Sequence, residues 1–321
     1  MSDADTTMRT IRFHKHGEWA DVLNLESAPI PTPRPGQIRI KVQACALNPM
    51  DWILCLGGMP GPVPGGIGLD VSGTVDAIGT GVRNVHVGDL VFGVADYINS
   101  PTAGASDYAV LTFWSPVPEG LGPVEAASLP MVVETAVRAL DKLGLSSGQT
   151  ILINGGGTMV GFSAVQIALE RGAHVIATAG DAFAERLRHM GAKVTPYGEG
   201  MVERVREIAG GATDLVLHTA LAPGVLPDLI KIVDGVPDRV LSITDFDEGN
   251  LGVRTTGREK DLVPRYDVLS HYAQLAAEGR FTVPVAQTYA MEDWRNALEQ
   301  SYGGHAHGKL LILPEPAVSA A

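Results

Sequence analysis

The stretch Ile151-Leu152-Ile153-Asn154-Gly155-Gly156-Gly157-Thr158-Met159-Val160-Gly161 decides how this chain folds. Three apolar residues end in a polar one and a run of glycines follows. Phe162, Val165, Ile167, Ala168 and Leu169 then recur at helical spacing, ahead of a second apolar run at Val175 and Ile176. A strand, a glycine-rich turn, a helix and a strand of this combined length form a unit of the size that holds a dinucleotide. A helix start leaves backbone N–H groups unpaired and carries partial positive charge, so it attracts a pyrophosphate, and glycines let the phosphate come close. Laying GxGxxG on the turn with Gly156 first and Gly161 last puts Thr158 where the middle glycine belongs. Thr158 adds a side chain at the point of closest approach, with a hydroxyl able to donate to a phosphate oxygen. Gly161 allows the helix to pack tightly on the strand. A plain tight strand-to-helix turn would carry the same glycines; the flanking pattern favours the dinucleotide, with Gly156, Gly157, Thr158, Met159, Val160 and Gly161 as its contacts.

Working outward, a 321-residue chain with 45% hydrophobic residues exceeds one ordinary core, so two domains are expected. No apolar run approaches the roughly 20 residues of a bilayer helix. Ser2, Asp3, Asp5, Thr6 and Thr7 are polar where a signal peptide would be basic and then apolar. The expectation is a cytoplasmic protein with no membrane partner. A formal net charge of −12 repels phosphate backbones and argues against nucleic acid. Cys45 and Cys55 allow one disulfide at most and cannot supply a four-thiolate zinc lobe, and read best as small buried residues.

From Thr10 to about Gly120 short strands alternate with turns. Ile38, Ile40 and Val42 alternate with polar residues, Pro60, Pro62, Pro64, Gly65 and Gly66 interrupt the chain, and strands are expected at 71–75 and 90–94. After Val124 helices expected at 125–143, 162–171, 183–189 and Met201–Ala209 alternate with buried strands at 151–154, His174–Thr178, Leu215–His218 and 239–243. That alternation predicts an α/β fold with a doubly wound parallel sheet. A helix over 268–278 and strands at 283–285 and 310–313 follow and are expected to return to the first, β-rich module. The first residues and 314–321 read as frayed.

With the glycine turn placed behind a β-rich module, the chain resembles the medium-chain dehydrogenase/reductase superfamily, in its zinc-free quinone oxidoreductase branch, over nearly its full length. The resemblance rests on Ala46-Leu47-Asn48-Pro49-Met50-Asp51, Gly68-Leu69-Asp70-Val71-Ser72-Gly73, Val87-Gly88-Asp89-Leu90-Val91, the segment 143–178 and the ending Gly308-Lys309-Leu310. It implies a GroES-like catalytic domain over 1–122 and 258–321, and a Rossmann NADP(H)-binding domain over 123–257. Where zinc alcohol dehydrogenases that resemble this chain carry a cysteine ligand stands Asn48, and their His-Glu pair is replaced by Leu69-Asp70, so no metal is expected. The nine histidines offer no replacement, His305 and His307 being an isolated pair in a glycine-rich loop.

The resemblance then implies hydride transfer from NADPH to a small quinone or α,β-unsaturated carbonyl, in a homodimer. Asn48 takes the family position beside nicotinamide and substrate, and Asp51 an orienting or structural carboxylate position. The family's usual tyrosine five residues after the asparagine is replaced by Ile53. Tyr97, or water, is then the proton source, and a packed aromatic is the plainer reading of Tyr97. The second strand ends Ala177-Thr178-Ala179-Gly180, without the acid that reads an NAD ribose, leaving room for a 2′-phosphate near Arg186, Arg188 and Tyr197. Asp181 is assigned as the N-cap of the next helix. Thr178, Gly180, Arg186 and Tyr197 join the cofactor list, as do Thr135 and Lys309 by position. His218, where the family has aspartate, is a cofactor contact or proton source. The loops 52–64, 97–104 and 246–258 wall the acceptor pocket. The alternatives are an enoyl reductase acting on a biosynthetic intermediate, and a nucleotide-binding protein with little catalysis.

Overall fold

The computed structural model describes residues 6–59, 61–221, 223–244, 251–257 and 261–315. The ends at 1–5 and 316–321, Pro60, and residues 246–250 and 258 of the expected pocket wall lie outside the described residues. The chain forms two compact units, one comprising Met1–Met131 with Tyr266–Ala321, the other Val132–Arg265. These divisions fall at 131/132 and 265/266, where the sequence suggested 122/123 and 257/258. No helix among the described residues is long and apolar enough to cross a membrane.

The first unit begins with β1 (Thr7–Phe13), the short helix α1 (Trp19–Val22), β2 (Leu23–Pro29), β3 (Ile38–Ala46), α2 (Pro49–Cys55), β4 (Gly65–Gly66), β5 (Asp70–Ile78), β6 (Leu90–Ala95), β7 (Tyr108–Pro116) and α3 (Pro123–Ala127). Ile38, Ile40 and Val42 of β3 point inward at every second residue and are buried, as the alternation requires. β7 pairs with both β6 and β3, which closes β3, β5, β6 and β7 into a ring around Ile40, Val71, Val91 and Leu111. Each such side chain contributes about 1.5–3 kcal/mol on burial.

The second unit follows with α4 (Pro130–Leu143), β8 (Thr150–Asn154), α5 (Met159–Glu170), β9 (His174–Thr178), α6 (Asp181–His189), β10 (Lys193–Thr195), α7 (Met201–Ala209), β11 (Leu215–His218), α8 (Leu226–Ile232), β12 (Val240–Ser242) and β13 (Arg254–Thr255). The helix expected over 125–143 is two helices, because Pro130 has no N–H to continue the first and instead starts the second. All six strands are parallel, in the order β10-β9-β8-β11-β12-β13. The sheet therefore reverses direction of winding between β8 and β11, the switch point at which doubly wound sheets hold ligands. Ile151, Leu152 and Ile153 are wholly buried, as a strand covered on both faces demands.

The chain returns to the first unit with α9 (Leu269–Ala277), β14 (Val285–Ala290), α10 (Trp294–Tyr302) and β15 (Lys309–Leu313). β15 pairs parallel with β14 and antiparallel with β3, so the ending does join the β-rich module. The strand expected at 283–285 instead starts at Val285 and runs to Ala290. Pro284 cannot donate to a ladder, and the strand's mostly exposed residues show no apolar alternation in sequence.

Candidate functional site

Within the second unit, β8 ends at Asn154 and the backbone turns through Gly155, at φ +96°, into α5. A Cβ on Gly161 would lie 2.1 Å from the Gly155 carbonyl oxygen, so only glycine permits this approach of helix to turn. Thr158 is the N-cap: its hydroxyl accepts the Gly161 N–H at 3.0 Å and donates toward the Gly155 carbonyl oxygen at 2.9 Å, also lying 2.9 Å from the Thr219 hydroxyl. The hydroxyl expected to reach a phosphate is thus committed to the turn, because the third N–H of the helix is the nearer demand. The Phe162 N–H goes to the Thr158 carbonyl oxygen. The amides of Met159 and Val160 have no partner among the described residues, and a pyrophosphate fits that pair of donors.

A buried polar row supports the turn. The Thr178 hydroxyl donates to Asn154 Oδ1 at 2.7 Å and accepts the Gly155 N–H at 3.0 Å, while Asn154 Nδ2 donates to His218 Nδ1 at 2.8 Å. The register places Thr178, Asn154 and His218 side by side at the ends of β9, β8 and β11. An Nδ1 that accepts leaves the His218 ring neutral with its hydrogen on Nε2. His218 is wholly buried, so it braces the row instead of acting as an exposed contact or proton source. Asn154 and Thr219 carry this arrangement and had no role in the sequence reading. The one signal was a polar residue ending an apolar strand.

After β9, Gly180 and not Asp181 caps α6; Asp181 is the first helical residue. Gly180 takes the extended conformation of a cap, and an acid one place later gains the helix dipole without closing a side-chain bond. A Cβ on Gly180 would stand 3.9 Å from the Tyr197 hydroxyl, so these two residues meet. Tyr197 is 68% exposed. Its loop is held by Arg204, which donates to the carbonyls of Glu199 (2.7 Å) and Pro196 (3.0 Å) and to the Thr195 hydroxyl (3.0 Å). Arg186 sits exposed in the last turn of α6. The buried Thr135 hydroxyl donates to Glu134 Oε2 at 3.1 Å, and Glu134 also receives Arg138 at 2.6 Å.

In the first unit the Asn48-Pro49-Met50-Asp51 motif starts α2, with Asn48 as N-cap and Pro49 in the first turn. Asp51 is wholly buried, and its two oxygens accept the Asn48 N–H and the Gly68 N–H, each at 2.6 Å. It ties the start of the helix to the turn before β5. Burial pushes its carboxyl up to about 7 against the opposing pull of those two N–H groups. Asn48 Nδ2 donates to Asp70 Oδ2 at 3.0 Å, and Asn48 Oδ1 accepts from Lys309 Nζ at 2.7 Å. Lys309 Nζ also reaches the Leu47 carbonyl oxygen at 3.2 Å and Asp70 Oδ2 at 3.4 Å, and Asp70 Oδ1 accepts the Met131 N–H at 3.0 Å. Burial raises the Asp70 carboxyl, with Lys309 opposing the shift.

Asn48, Asp51 and Lys309 are therefore brought together, but as a closed cluster. Lys309 is 3% exposed and spends its donors on the chain, so the expected cofactor contact is instead the counter-ion that a buried Asp70 requires. The Asn48 amide faces Asp70 and Lys309 where it was expected to face nicotinamide or substrate. Asp51 holds a loop and offers no free oxygen for direct acid catalysis.

Tyr97 stands apart from that cluster. It packs with Met50, Met59 and Met131 against Leu54, Leu69 and Val94, and borders a cavity of about 10 Å³. Its hydroxyl has no partner among the described residues, and burial raises its pKa, which makes it a weaker acid. Cys45 and Cys55 are buried free thiols, as read from sequence.

Residues 34–122 match the alcohol dehydrogenase GroES-like domain family, and residues 190–312 match the zinc-binding dehydrogenase family. The chain is 28% identical to a chloroplast envelope quinone oxidoreductase homolog of Arabidopsis thaliana, over 97% of this chain and 100% of that one. It is 36% identical to a 2-methylene-furan-3-one reductase of Solanum lycopersicum over 54% of this chain and 47% of that protein. The solved structure of a quinone oxidoreductase from Coxiella burnetii matches 96% of this chain and 100% of its own, with a TM-score of 0.80 at 26% identity. Together with the sheet order and glycine turn, these matches place the chain in the medium-chain dehydrogenase/reductase superfamily, oxidoreductases that bind a nicotinamide cofactor. Within it, the chain is of the quinone oxidoreductase type.

A zinc ion, which one family description implies, does not fit the donors present. At the positions expected from the metal-dependent relatives, Leu69 offers no ligand atom, and Asn48 and Asp70 are already bound to the Lys309 ammonium, whose charge would oppose a dication. Among the described residues no group of three or more His, Cys, Asp or Glu side chains could hold a metal.

Proposed function

We propose that this protein is an NADPH-dependent reductase of small quinones and α,β-unsaturated carbonyls. The observation that carries this reading is the character of the Asn48–Leu69–Asp70 region, where an apolar side chain and a closed ion cluster take the places of metal ligands. A reductase built this way suits acceptors whose own conjugation spreads the incoming negative charge. The bound reduced nicotinamide supplies a hydride; one proton from water or from the Tyr97 phenol completes the two-electron reduction of a quinone to a hydroquinone, or of an enone to the saturated carbonyl. The packing of Leu54, Leu69, Val94 and Met59 beside Tyr97 gives the phenol an apolar setting, in keeping with an apolar acceptor. The name of the tomato relative, which describes an alkene conjugated to a ring carbonyl, supports the same class.

In this reading the pyrophosphate rests on Gly156, Gly157 and the amides of Met159 and Val160, while Gly180, Tyr197 and Arg186 receive the 2′-phosphate. Asp51 and Lys309 are positioning residues that hold Asn48. The working form is a homodimer. Purified protein is tested with NADPH and, separately, NADH, following melting temperature and oxidation of the nicotinamide in the presence of benzoquinone, phenanthrenequinone or butenone. Stabilisation by NADPH above NADH, with oxidation by one of these acceptors, supports the proposal. Absence of stabilisation by either nucleotide overturns it.

A further inference from the structure

The first unit contains a larger cavity, of about 240 Å³, bordered by the end of β2, by Arg34 and by residues 99–102 that follow Tyr97. Much of its wall is apolar, formed by Pro29, Ile30, Pro101 and Val110, and two guanidinium groups, Arg12 and Arg34, border it as well. The Arg12 side chain is only 13% exposed. Its Nε donates to Glu26, and its two terminal nitrogens make no hydrogen bond to any described residue. Arg34 donates one terminal nitrogen to the Asn99 carbonyl oxygen at 3.0 Å and leaves the other without a partner among the described residues.

Asp96 also borders the cavity, but both of its oxygens already accept hydrogen bonds from neutral donors of the chain. One oxygen accepts the Asn99 N–H (3.1 Å) and Asn99 Nδ2 (2.9 Å), and the other accepts Gln37 Nε2 at 2.7 Å. The cavity thus combines unclaimed cationic donors with apolar walls. A mostly buried guanidinium is costly to leave half-satisfied, and its paired N–H groups match the two oxygens of a carboxylate. The volume lies just below the roughly 300 Å³ at which pockets for drug-sized ligands begin, so it suits one ring or a short chain.

We propose that this cavity binds a small organic carboxylate, with its carboxylate on Arg12 and Arg34 and its apolar body against Ile30, Pro101 and Val110. The site uses none of the residues assigned to the nucleotide, and it shares residues 99–102 with the loop expected to wall the acceptor pocket. Calorimetric titration of the whole protein with benzoate tests it, with benzyl alcohol and inorganic phosphate as probes lacking the charge and the apolar body. Saturable benzoate binding is expected, tighter than that of either probe, unaffected by saturating NADPH and weakened at least tenfold by Arg12→Met. Should Arg12→Met not fold, Thr32→Trp, which fills the exposed mouth of the cavity, gives the same loss. The proposal is overturned if benzoate does not bind saturably, if phosphate binds as tightly, if NADPH displaces benzoate, or if Thr32→Trp leaves the affinity unchanged.

Discussion

The Asn48–Asp70–Lys309 cluster of the first unit and the glycine turn of the second are both polar and both mostly buried, yet they are built on opposite plans. In the cluster nearly every donor meets an acceptor of the chain itself: Lys309 spends its hydrogens on Leu47, Asn48 and Asp70, and both Asp51 oxygens take backbone N–H groups. In the turn the buried row of Thr178, Asn154 and His218 is closed in the same way, but the first two amides of α5 stay open at its edge. Closed networks set geometry; an incomplete one recognises something. Side chains that look equally functional in sequence, such as Lys309 and Thr158, turn out to hold the frame, while plain backbone amides are left without a partner among the described residues.

The largest test of this contrast is Lys309→Met. It strands Asp70 as a buried charge, and the expected loss is about 3–5 kcal/mol of stability in urea denaturation. Adding Asp70→Leu recovers part of that loss. A loss below about 1 kcal/mol, the range of exposed ion pairs, would break the idea of a closed cluster.

Asp51 sharpens the same side of the comparison through pH. Its folded-state pKa of about 7 lies above the ordinary 3.8, so the folded chain holds the proton more tightly. Its contribution to stability is therefore complete below about 4, falls as pH rises toward about 7, and is flat beyond. Denaturation midpoints of the native protein and of Asp51→Asn, measured across that window, are expected to show a shallower slope in the variant.

On the side of the turn, Gly161→Ala forces a methyl against the Gly155 carbonyl, and overpacking of this kind costs about 1–3 kcal/mol. Nucleotide affinity should fall along with melting temperature. Arg186→Ala is expected to raise the KM for NADPH about tenfold and leave that for NADH unchanged; equal effects on both would remove it from phosphate recognition. Thr158→Ala gives the smallest effect, about 1 kcal/mol for a lost cap, and nucleotide affinity within about twofold if the hydroxyl serves the turn alone.

Much of the second unit was legible because its signals are local. A buried parallel strand, a glycine turn and a helix lie within one short stretch, and their apolar runs follow from burial on both sheet faces. The first unit was legible at Asn48-Pro49-Met50-Asp51 and Gly68-Leu69-Asp70 only as motifs. Nothing in their spacing shows that Lys309, 261 residues from Asn48, would land on that amide. The strand Val285–Ala290 was hidden for a related reason, since it takes its place from pairing with β15 and not from its own pattern.

The sequence by itself determined the class of fold, the place of the glycine turn and the missing metal ligands, because strand and helix periodicity, glycine's conformational freedom and ligand identity are properties of neighbouring residues. Only the tertiary structure decided which polar groups are spent and which are open. Whether a lysine meets a cofactor or a buried aspartate, and whether a threonine hydroxyl caps a helix or waits for a phosphate, depends on which distant partner lies within about 3 Å, the reach of a hydrogen bond.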